Sequence, residues 1–343
     1  MKAKIIVPFN HKGGVSKTTT AFHIGWKLTQ HDKRVLLVDS DPQCNLTSLL
    51  LGESFDDYYT NTTTQKNNIR DGVSAAFAGK PVPIMPFDCY YRPENPNLFL
   101  IPGHMDLSAY DPALSLALNS NNAITTLQNL PGSFYELIRL CCERYEIDYV
   151  LIDLNPGLSA INQTMFMICD GFLVPTNPDP FSLMALKTLR DVLPRWKHQA
   201  AHCRELFVDA AYPLPEKSMK FIGEIIQRFN IRMNAPAHPY QEKIQEIKDY
   251  VEDELCPVFQ KNKMLFDNTP LIERGILTDH CLGEISEFGA LIQRSHKYLV
   301  PVFALTSEQM EERNPILYGM LSNRDRFNEM YEKITSVILE FLP

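Results

Sequence analysis

Short apolar runs alternate with a stretch of helical spacing near the start of the sequence. Residues 3–9 (AKIIVPF) and 34–39 (RVLLVD) are apolar over the length of a strand, and residues 17–30 between them repeat apolar positions at helical intervals. Two parallel strands joined by a helix follow from this order, because such crossovers are almost always right-handed and pack the helix onto the sheet. The pattern therefore predicts a β-α-β unit.

The same alternation continues through most of the chain. Residues 133–146 have the spacing of an amphipathic helix. Further strand-like runs are expected at residues 98–103, 149–157, 172–178, 220–227 and 299–305. Strands and helices that alternate at these lengths predict an α/β fold, in which helices flank a doubly wound, mostly parallel sheet.

Two segments have a different character. Residues 52–97 are rich first in Asn and Thr and then in Pro, which predicts an irregular excursion from the sheet with one short helix near Asp71 to Phe77. Residues 323–342 place apolar side chains three and four positions apart and predict a closing amphipathic helix. No long Pro/Gly/Ser-rich linker divides the chain, so we expect a single domain over residues 1–343.

Composition narrows the function classes. A formal net charge of −8 counts against a strongly basic nucleic-acid binder. The segment around Trp196 nevertheless contains three basic residues, Arg190, Arg195 and Lys197. It is a candidate DNA-binding surface, although a solvated helix end is the favoured interpretation. No apolar run approaches the roughly 20 residues that span a bilayer, and the eight cysteines, which lack metal spacing, are expected to be reduced thiols. We therefore expect a cytoplasmic protein.

The segment KGGVSKTT at residues 12–19 lies between the first apolar run and the first helix. A Gly-rich turn lets consecutive backbone N–H groups point at phosphate oxygens, and the helix N-terminus adds partial positive charge. Lys17 is then placed to neutralise β- and γ-phosphate oxygens, and the Thr18 hydroxyl to coordinate Mg²⁺. Ser16 precedes the lysine where the strict G-x-x-x-x-G-K-[ST] pattern has glycine, so this is a degenerate P-loop.

Aspartates follow two of the predicted strands. Asp39 and Asp41 come at the end of the second apolar run, and Asp153 ends the run that starts at residue 149. Parallel sheets present their ligand sites at the carboxyl ends of the strands. Each aspartate alone is equally well explained as a helix cap or a turn residue. Together with the Gly-Lys-Thr turn, the three aspartates predict a site for a nucleotide and a metal ion.

Three blocks, KGGVSKTTT, LLVDSDPQCNLT and YVLIDLNPG, resemble the ParA/MinD family of deviant Walker ATPases, with the ParA branch closer. The resemblance implies Mg-ATP as the ligand and an ATP-sandwich homodimer that hydrolysis resets. It assigns nucleotide binding to Lys12, Gly13, Gly14, Val15, Ser16, Lys17, Thr18 and Thr19.

The same resemblance implies individual roles. Lys12 matches the signature lysine that reaches across the dimer interface, and Asp41 matches the carboxylate that positions the attacking water, so both join Lys17 as catalytic candidates. Three residues match the metal site of the family. Thr18 matches the Mg²⁺ ligand of the P-loop, Asp153 matches the Walker B aspartate, and Asp39 lies beside them.

The resemblance also implies a cellular role. Partition of DNA or plasmids, or positioning of another large cargo, is the leading expectation, with a small ParB-like or other stimulating protein and nonspecific DNA as candidate partners and no membrane. A slow-hydrolysing nucleotide switch that scaffolds a defence or regulatory complex is the alternative. Gln227 and Asn230 are equal candidates for the adenine contact, and His11 is expected to be a turn residue. The closing helix is expected to pack on the core.

Overall fold

The computed structural model describes residues 3–120, 124–232, 235–236 and 238–343, without the side chains of residues 232, 235, 236, 238 and 239. The strands are β1 (Lys4–Pro8), β2 (Val35–Ser40), β3 (Tyr90–Arg92), β4 (Asn95–Ile101), β5 (Tyr149–Leu154), β6 (Gly171–Thr176), β7 (Lys220–Gln227), β8 (Ile231–Arg232), β9 (Ala235–Pro236) and β10 (Cys281–Ile285). The helices are α1 (Lys17–Thr29), α2 (Asn45–Leu51), α3 (Phe55–Thr60), α4 (Ile69–Gly72), α5 (Ser74–Phe77), α6 (Asp111–Asn119), α7 (Leu130–Tyr145), α8 (Ala160–Met167), α9 (Pro180–Leu206), α10 (His238–Tyr250), α11 (Cys256–Lys261), α12 (Thr269–Glu273), α13 (Ala290–Tyr298) and α14 (Ile316–Phe341).

Eight strands form one sheet in the order β10-β7-β6-β1-β5-β2-β4-β3, and β8 pairs with β9 separately. Neighbours in the large sheet run parallel, except that β3 pairs antiparallel with β4. Because β1 lies between β5 and β6, the loop that follows it opens at the carboxyl edge, where doubly wound sheets bind ligands. The predicted fold class is confirmed.

Apolar side chains are buried on both faces of the sheet. Helices α6, α7, α8 and α9 cover one face, and α1, α2, α13 and α14 cover the other. Because helices cover both faces of the sheet, all side chains of β5 are buried, which explains the nearly continuous apolar sequence of this strand. Helix α1 approaches the sheet so closely at Gly25 that an added Cβ would lie 2.7 Å from Cδ2 of Leu37. The helix that follows the Gly-rich loop is therefore held firmly against the sheet.

The closing helix packs on the core, as expected. Its apolar face, which includes Phe327, Tyr331 and Ile334, is buried, and Nζ of Lys27 in α1 lies 3.0 Å from Glu332. The helix begins at Ile316, earlier than the predicted residue 323. Within the part of the chain that the structure describes, none of the helices has both the length and the apolar content needed to cross a bilayer.

One predicted strand is wrong, and the predicted excursion and its short helix are each correct only in part. Residues 299–305 form no strand but include a short 3₁₀ helix at Val302–Ala304, because Pro301 lacks the N–H group that a sheet ladder needs. The excursion at 52–97 leaves the sheet only in part, since β3 joins its edge and β4 begins at Asn95. The short helix expected near Asp71 to Phe77 is two helices, α4 and α5.

Candidate functional site

The loop between β1 and α1 borders a cleft of about 840 Å³ at the carboxyl edge of the sheet. This volume suits a small-molecule ligand, for which pockets of roughly 300 to 1,000 Å³ are usual. The β1–α1 loop and the start of α1 contribute residues 13–19. The other lining residues are Asp41, Gln43, Asn45, Ser48, Leu49, Leu154, Pro156, Gln227, Arg228, Ile285, Ser286, Glu287, Phe288, Gly289, Ile292 and His296.

The backbone of the loop is shaped for an anion. Gly14 has φ +73° and Ser16 has φ +61°, so the chain turns sharply through left-handed conformations before α1 begins at Lys17. No side chain caps the N-terminus of α1, and its first turn contains no acidic residue. The first N–H groups of the helix and its positive dipole end are therefore left to a ligand in the cleft.

A pair of side chains fixes the orientation of the loop. The carbonyl oxygen of Gly14 accepts hydrogen bonds from Nη1 of Arg228 at 2.8 Å and from Nδ2 of Asn177 at 3.2 Å. A trans peptide carries its C=O and the next N–H on opposite sides. Anchoring the Gly14 carbonyl on one side therefore turns the N–H of Val15 to the other side.

Lys17 brings a buried positive charge to the cleft. Its side chain is part of a residue that is only 7% exposed, and Nζ donates a hydrogen bond to the backbone carbonyl of Lys12 at 3.1 Å. Burial lowers the pKa of Lys17, although the nearby carboxylates of Asp153 and Asp41 raise it. Among the described residues Lys17 forms no ion pair, so its charge is available to an anionic ligand.

Asp153 has the environment of a metal-binding carboxylate. It is 0% exposed, and both of its carboxylate oxygens lack a hydrogen-bond partner among the described residues. Burial and the charge of Asp39 raise the pKa of Asp153 well above its ordinary value, while the nearby Thr18 hydroxyl lowers it. A buried carboxylate without partners is costly unless a cation or a proton completes it, so Thr18 and Asp153 fit a hydrated Mg²⁺ ion.

The two aspartates at the carboxyl end of β2 occupy different positions. Asp41 lines the cleft, and its Oδ1 accepts the N–H of Gln43 at 2.9 Å. Asp39 lies behind it, where Oδ2 accepts the N–H and the hydroxyl of Thr47 at 2.8 and 2.6 Å. Burial raises the pKa of Asp39 to about 6, although these hydrogen bonds lower it. Asp41 is therefore open to the ligand, whereas Asp39 supports α2 and the inner wall.

Lys12 points away from the cleft. Its ammonium group pairs with Asp179 and donates to Oγ of Ser182 at 3.1 Å. Asp179 also caps α9, because its Oδ1 accepts the N–H of Ser182 at 2.8 Å. Within one chain the lysine is thus docked on the N-terminus of α9, while Gly13 beside it lines the cleft.

The structure also shows where the other residues singled out in the sequence lie. Nε2 of Gln227 donates to the Thr20 hydroxyl at 2.7 Å at the wall of the cleft, and Asn230 does not line it. Trp196 is buried against Phe9 in the middle of α9, so the basic segment around it is neither a helix end nor an aromatic surface. His11 lies outside the cleft lining.

One part of the cleft lining was not predicted from the sequence. It comprises residues 285–289 and the side chains of Ile292 and His296. Ile285 ends strand β10 and residues 286–289 follow it, at the carboxyl edge where parallel sheets collect their ligand sites. Because no strand was predicted at residues 281–285, this position could not point to the site.

Arg228 gives a first test of this geometry. We expect Arg228→Met to weaken binding of Mg-ATP about five- to tenfold, since the lost hydrogen bond to Gly14 contributes on the order of 1 kcal/mol to the shape of the loop. Equilibrium dialysis measures the change. Arg274→Met is the matched control, because Arg274 is exposed and pairs with Glu340. Equal affinities in the two variants would contradict the assigned role.

Comparison with known proteins places the fold in context. Residues 3–203 match the model of a family described as an AAA domain. An uncharacterised protein of Mycobacterium tuberculosis is 28% identical over 230 residues, covering 66% of this chain and 64% of its own. The chromosome partitioning protein ParA of Myxococcus xanthus is 25% identical over 278 residues, covering 77% and 82%. This chain thus spans slightly less than two thirds of the Mycobacterium protein.

Solved structures share the fold. The ATP complex of McdA from Cyanothece has a TM-score of 0.56 at 20% identity and covers 98% of this chain and 96% of that one. A plasmid partition protein of Borrelia burgdorferi bound to AMPPNP has a TM-score of 0.54 at 20% identity, with 99% of both chains covered. The family match over more than half of the sequence, the parallel sheet and the Gly-rich loop after β1 identify this chain as a member of the ParA/MinD-like family of P-loop ATPases.

Proposed function

We propose that the cleft binds Mg-ATP, that the bound nucleotide joins two copies of the chain, and that hydrolysis separates them again. The observation that carries this proposal is the meeting of three features around one cleft: a buried lysine that forms no ion pair with a described residue, an uncapped helix N-terminus, and a buried carboxylate whose oxygens accept no hydrogen bond within the described part of the chain. A polyphosphate with a divalent cation complements all three, because it supplies negative charge to the first two and positive charge to the third.

Each group then has a defined role. The backbone N–H groups of residues 13–19 and the Lys17 ammonium bind the phosphates, and Thr18 and Asp153 hold Mg²⁺, with Asp39 supporting the wall behind them. The magnesium ion neutralises charge on the phosphate oxygens when it is bound. Asp41, which faces the cleft, orients the attacking water. Phosphoryl transfer needs positioning and charge neutralisation and no covalent nucleophile.

A second copy of the chain accounts for the position of Lys12. Because its ammonium is docked on Asp179 and Ser182, it adds no charge to the cleft of its own chain. In the proposed dimer it leaves this contact and reaches the partner's phosphates, which couples hydrolysis to assembly as an arginine finger does. Phe181 and Met184, large apolar side chains exposed beside Asp179, support a contact face there.

The cellular role that we propose is partition of DNA or positioning of another large cargo. Support comes from relatives named as chromosome partitioning proteins. A small partner protein that stimulates hydrolysis belongs to this proposal, with nonspecific duplex DNA as a further partner. Because the net charge is −8, DNA retention is expected only with ATP and at low salt.

Hydrolysis is tested through Asp41. We expect Asp41→Asn to reduce phosphate release about 10²- to 10⁴-fold, the range lost when a positioned base is removed, while ATP affinity changes less than about threefold. Asp56→Asn, at an exposed position on α3, is the control. Phosphate release equal to that of the unsubstituted chain would contradict the role of Asp41. Slow turnover that neither DNA nor a partner raises would favour the scaffold alternative.

A further inference from the structure

A second group of ligand-type side chains lies apart from the cleft, where the segment between α10 and α11 meets the start of β10. Glu252, Cys256 and His280 each offer one ligand atom, and these three atoms lie within 4.8 Å of one another. Carboxylate, thiolate and imidazole together are the donors that zinc accepts in proteins. None of the three residues lines the nucleotide cleft.

An irregular helix brings two of these ligands together. Residues Val251–Leu255 form a π-helix between α10 and α11. Pro257 explains the irregularity, because it has no N–H for the helix ladder and its ring excludes the carbonyl four residues earlier. Widened turns of this kind recur at functional sites. Here the turn places the side chains of Glu252 and Cys256 beside His280, the residue just before β10.

Hydrogen bonds orient the third ligand. The carboxylate of Glu252 bonds to Nδ1 of His280 at 2.8 Å and accepts the backbone N–H of the same residue at 2.7 Å. Cys256 is 5% exposed, whereas the side chain of Glu252 is 39% exposed. The group is therefore closed on the protein side and open to solvent at Glu252, which gives an ion a route of entry.

A buried carboxyl group and a paired lysine lie near the three ligands. Glu224 is fully buried, its Oε1 accepts the Thr176 hydroxyl at 2.7 Å, and its Oε2 has no partner among the residues that the structure describes. Burial raises the pKa of Glu224 to about 8, so at neutral pH this carboxyl group is mostly protonated and adds little charge. The nearby cation Lys248 is 2.6 Å from Glu284 and is therefore already paired. The negative charges that a divalent ion would balance are those of Glu252 and of the Cys256 thiolate that forms when a metal binds.

We propose that Glu252, Cys256 and His280 bind a zinc ion, with water in the fourth position. A thiolate, a carboxylate and a neutral imidazole bring two negative charges, which Zn²⁺ balances. The thiol ligand excludes Mg²⁺ and Ca²⁺, which prefer oxygen donors. The ion would fasten the α10–α11 segment to β10, the strand whose carboxyl end leads into the wall of the nucleotide cleft.

The test is metal binding by the full chain without nucleotide. After treatment with a chelator and dialysis against excess Zn²⁺, we expect about one tightly bound zinc per chain by elemental analysis. Addition of Co²⁺ in place of Zn²⁺ should produce a thiolate-to-cobalt charge-transfer band. Both measurements use the unsubstituted protein, so they do not depend on how a variant folds. A chain that retains no zinc and gives no such band would overturn the proposal.

Substitution of single ligands tests where the ion binds. Cys256→Ser and His280→Gln are expected to lower zinc affinity at least tenfold and to abolish or shift the cobalt band. Cys203→Ser, which alters another buried thiol on α9, and His198→Gln, also on α9, are the matched controls and should bind zinc as before. Zinc retained at full affinity by Cys256→Ser would instead mean that the ion is held by other donors, and would overturn the proposed site.

Discussion

A chain carrying Lys17→Met is expected to lose at least about 100-fold in affinity for Mg-ATP. Lys17 is the buried cation of the cleft and forms no ion pair with a described residue. Bonds from a charged group contribute roughly 1.5 to 3 kcal/mol, and one ammonium can serve two phosphate oxygens, so a loss of about 3 kcal/mol or more is expected. Isothermal titration calorimetry measures it.

Methionine keeps the volume and flexibility of the lysine stem, so the expected loss comes from the charge. Lys80→Met, at an exposed position after α5, controls for the change in net charge and should leave the affinity unaltered. If Lys17→Met bound Mg-ATP with the affinity of the control, the assignment of this lysine to the phosphates would be wrong.

Loss of the ATP-dependent dimer is the expected result of Lys12→Ala. In the proposed dimer two symmetry-related lysines each contact the partner's nucleotide. Their removal costs about 3 to 6 kcal/mol of association free energy, which corresponds to a dimer constant weakened by about 10²- to 10⁴-fold. Sedimentation of the chain with a slowly hydrolysed ATP analogue measures the change, and nucleotide affinity of the monomer should be retained.

The docking contact of Lys12 supplies the matched variant. Asp179→Asn removes the carboxylate that holds the lysine on α9 but leaves an amide that still caps the helix. The released lysine is available to the partner, so this variant should dimerise with ATP at least as well as the unsubstituted chain. An undiminished ATP dimer in Lys12→Ala would refute the action of this lysine across the interface.

The fold and the floor of the cleft could be predicted because they depend on local patterns. Apolar runs with a helical stretch between them predict parallel strands, and a Gly-rich turn before a helix predicts the loop at 12–19. The strand-end position of Asp41 and Asp153 followed from the same topology. These features need no knowledge of distant contacts.

Features that depend on distant contacts could not be predicted. The bond from Arg228 to Gly14 joins positions 214 residues apart, and the docking of Lys12 on Asp179 spans 167. No spacing rule connects them. Likewise, the histidines and cysteines lack metal spacing in the sequence, yet the fold brings His280 to Cys256. The edge strand β3, with only three residues, was too short for its alternation to be read.

Binding of Mg-ATP by the unsubstituted chain tests the account most directly. Calorimetric titration should give a saturable signal with about one nucleotide per chain, and this signal should weaken when Mg²⁺ is omitted, because Asp153 then has no cation beside the phosphates. A titration without heat at any temperature tried, together with equilibrium dialysis that retains no nucleotide, would contradict the assignment of this cleft to ATP.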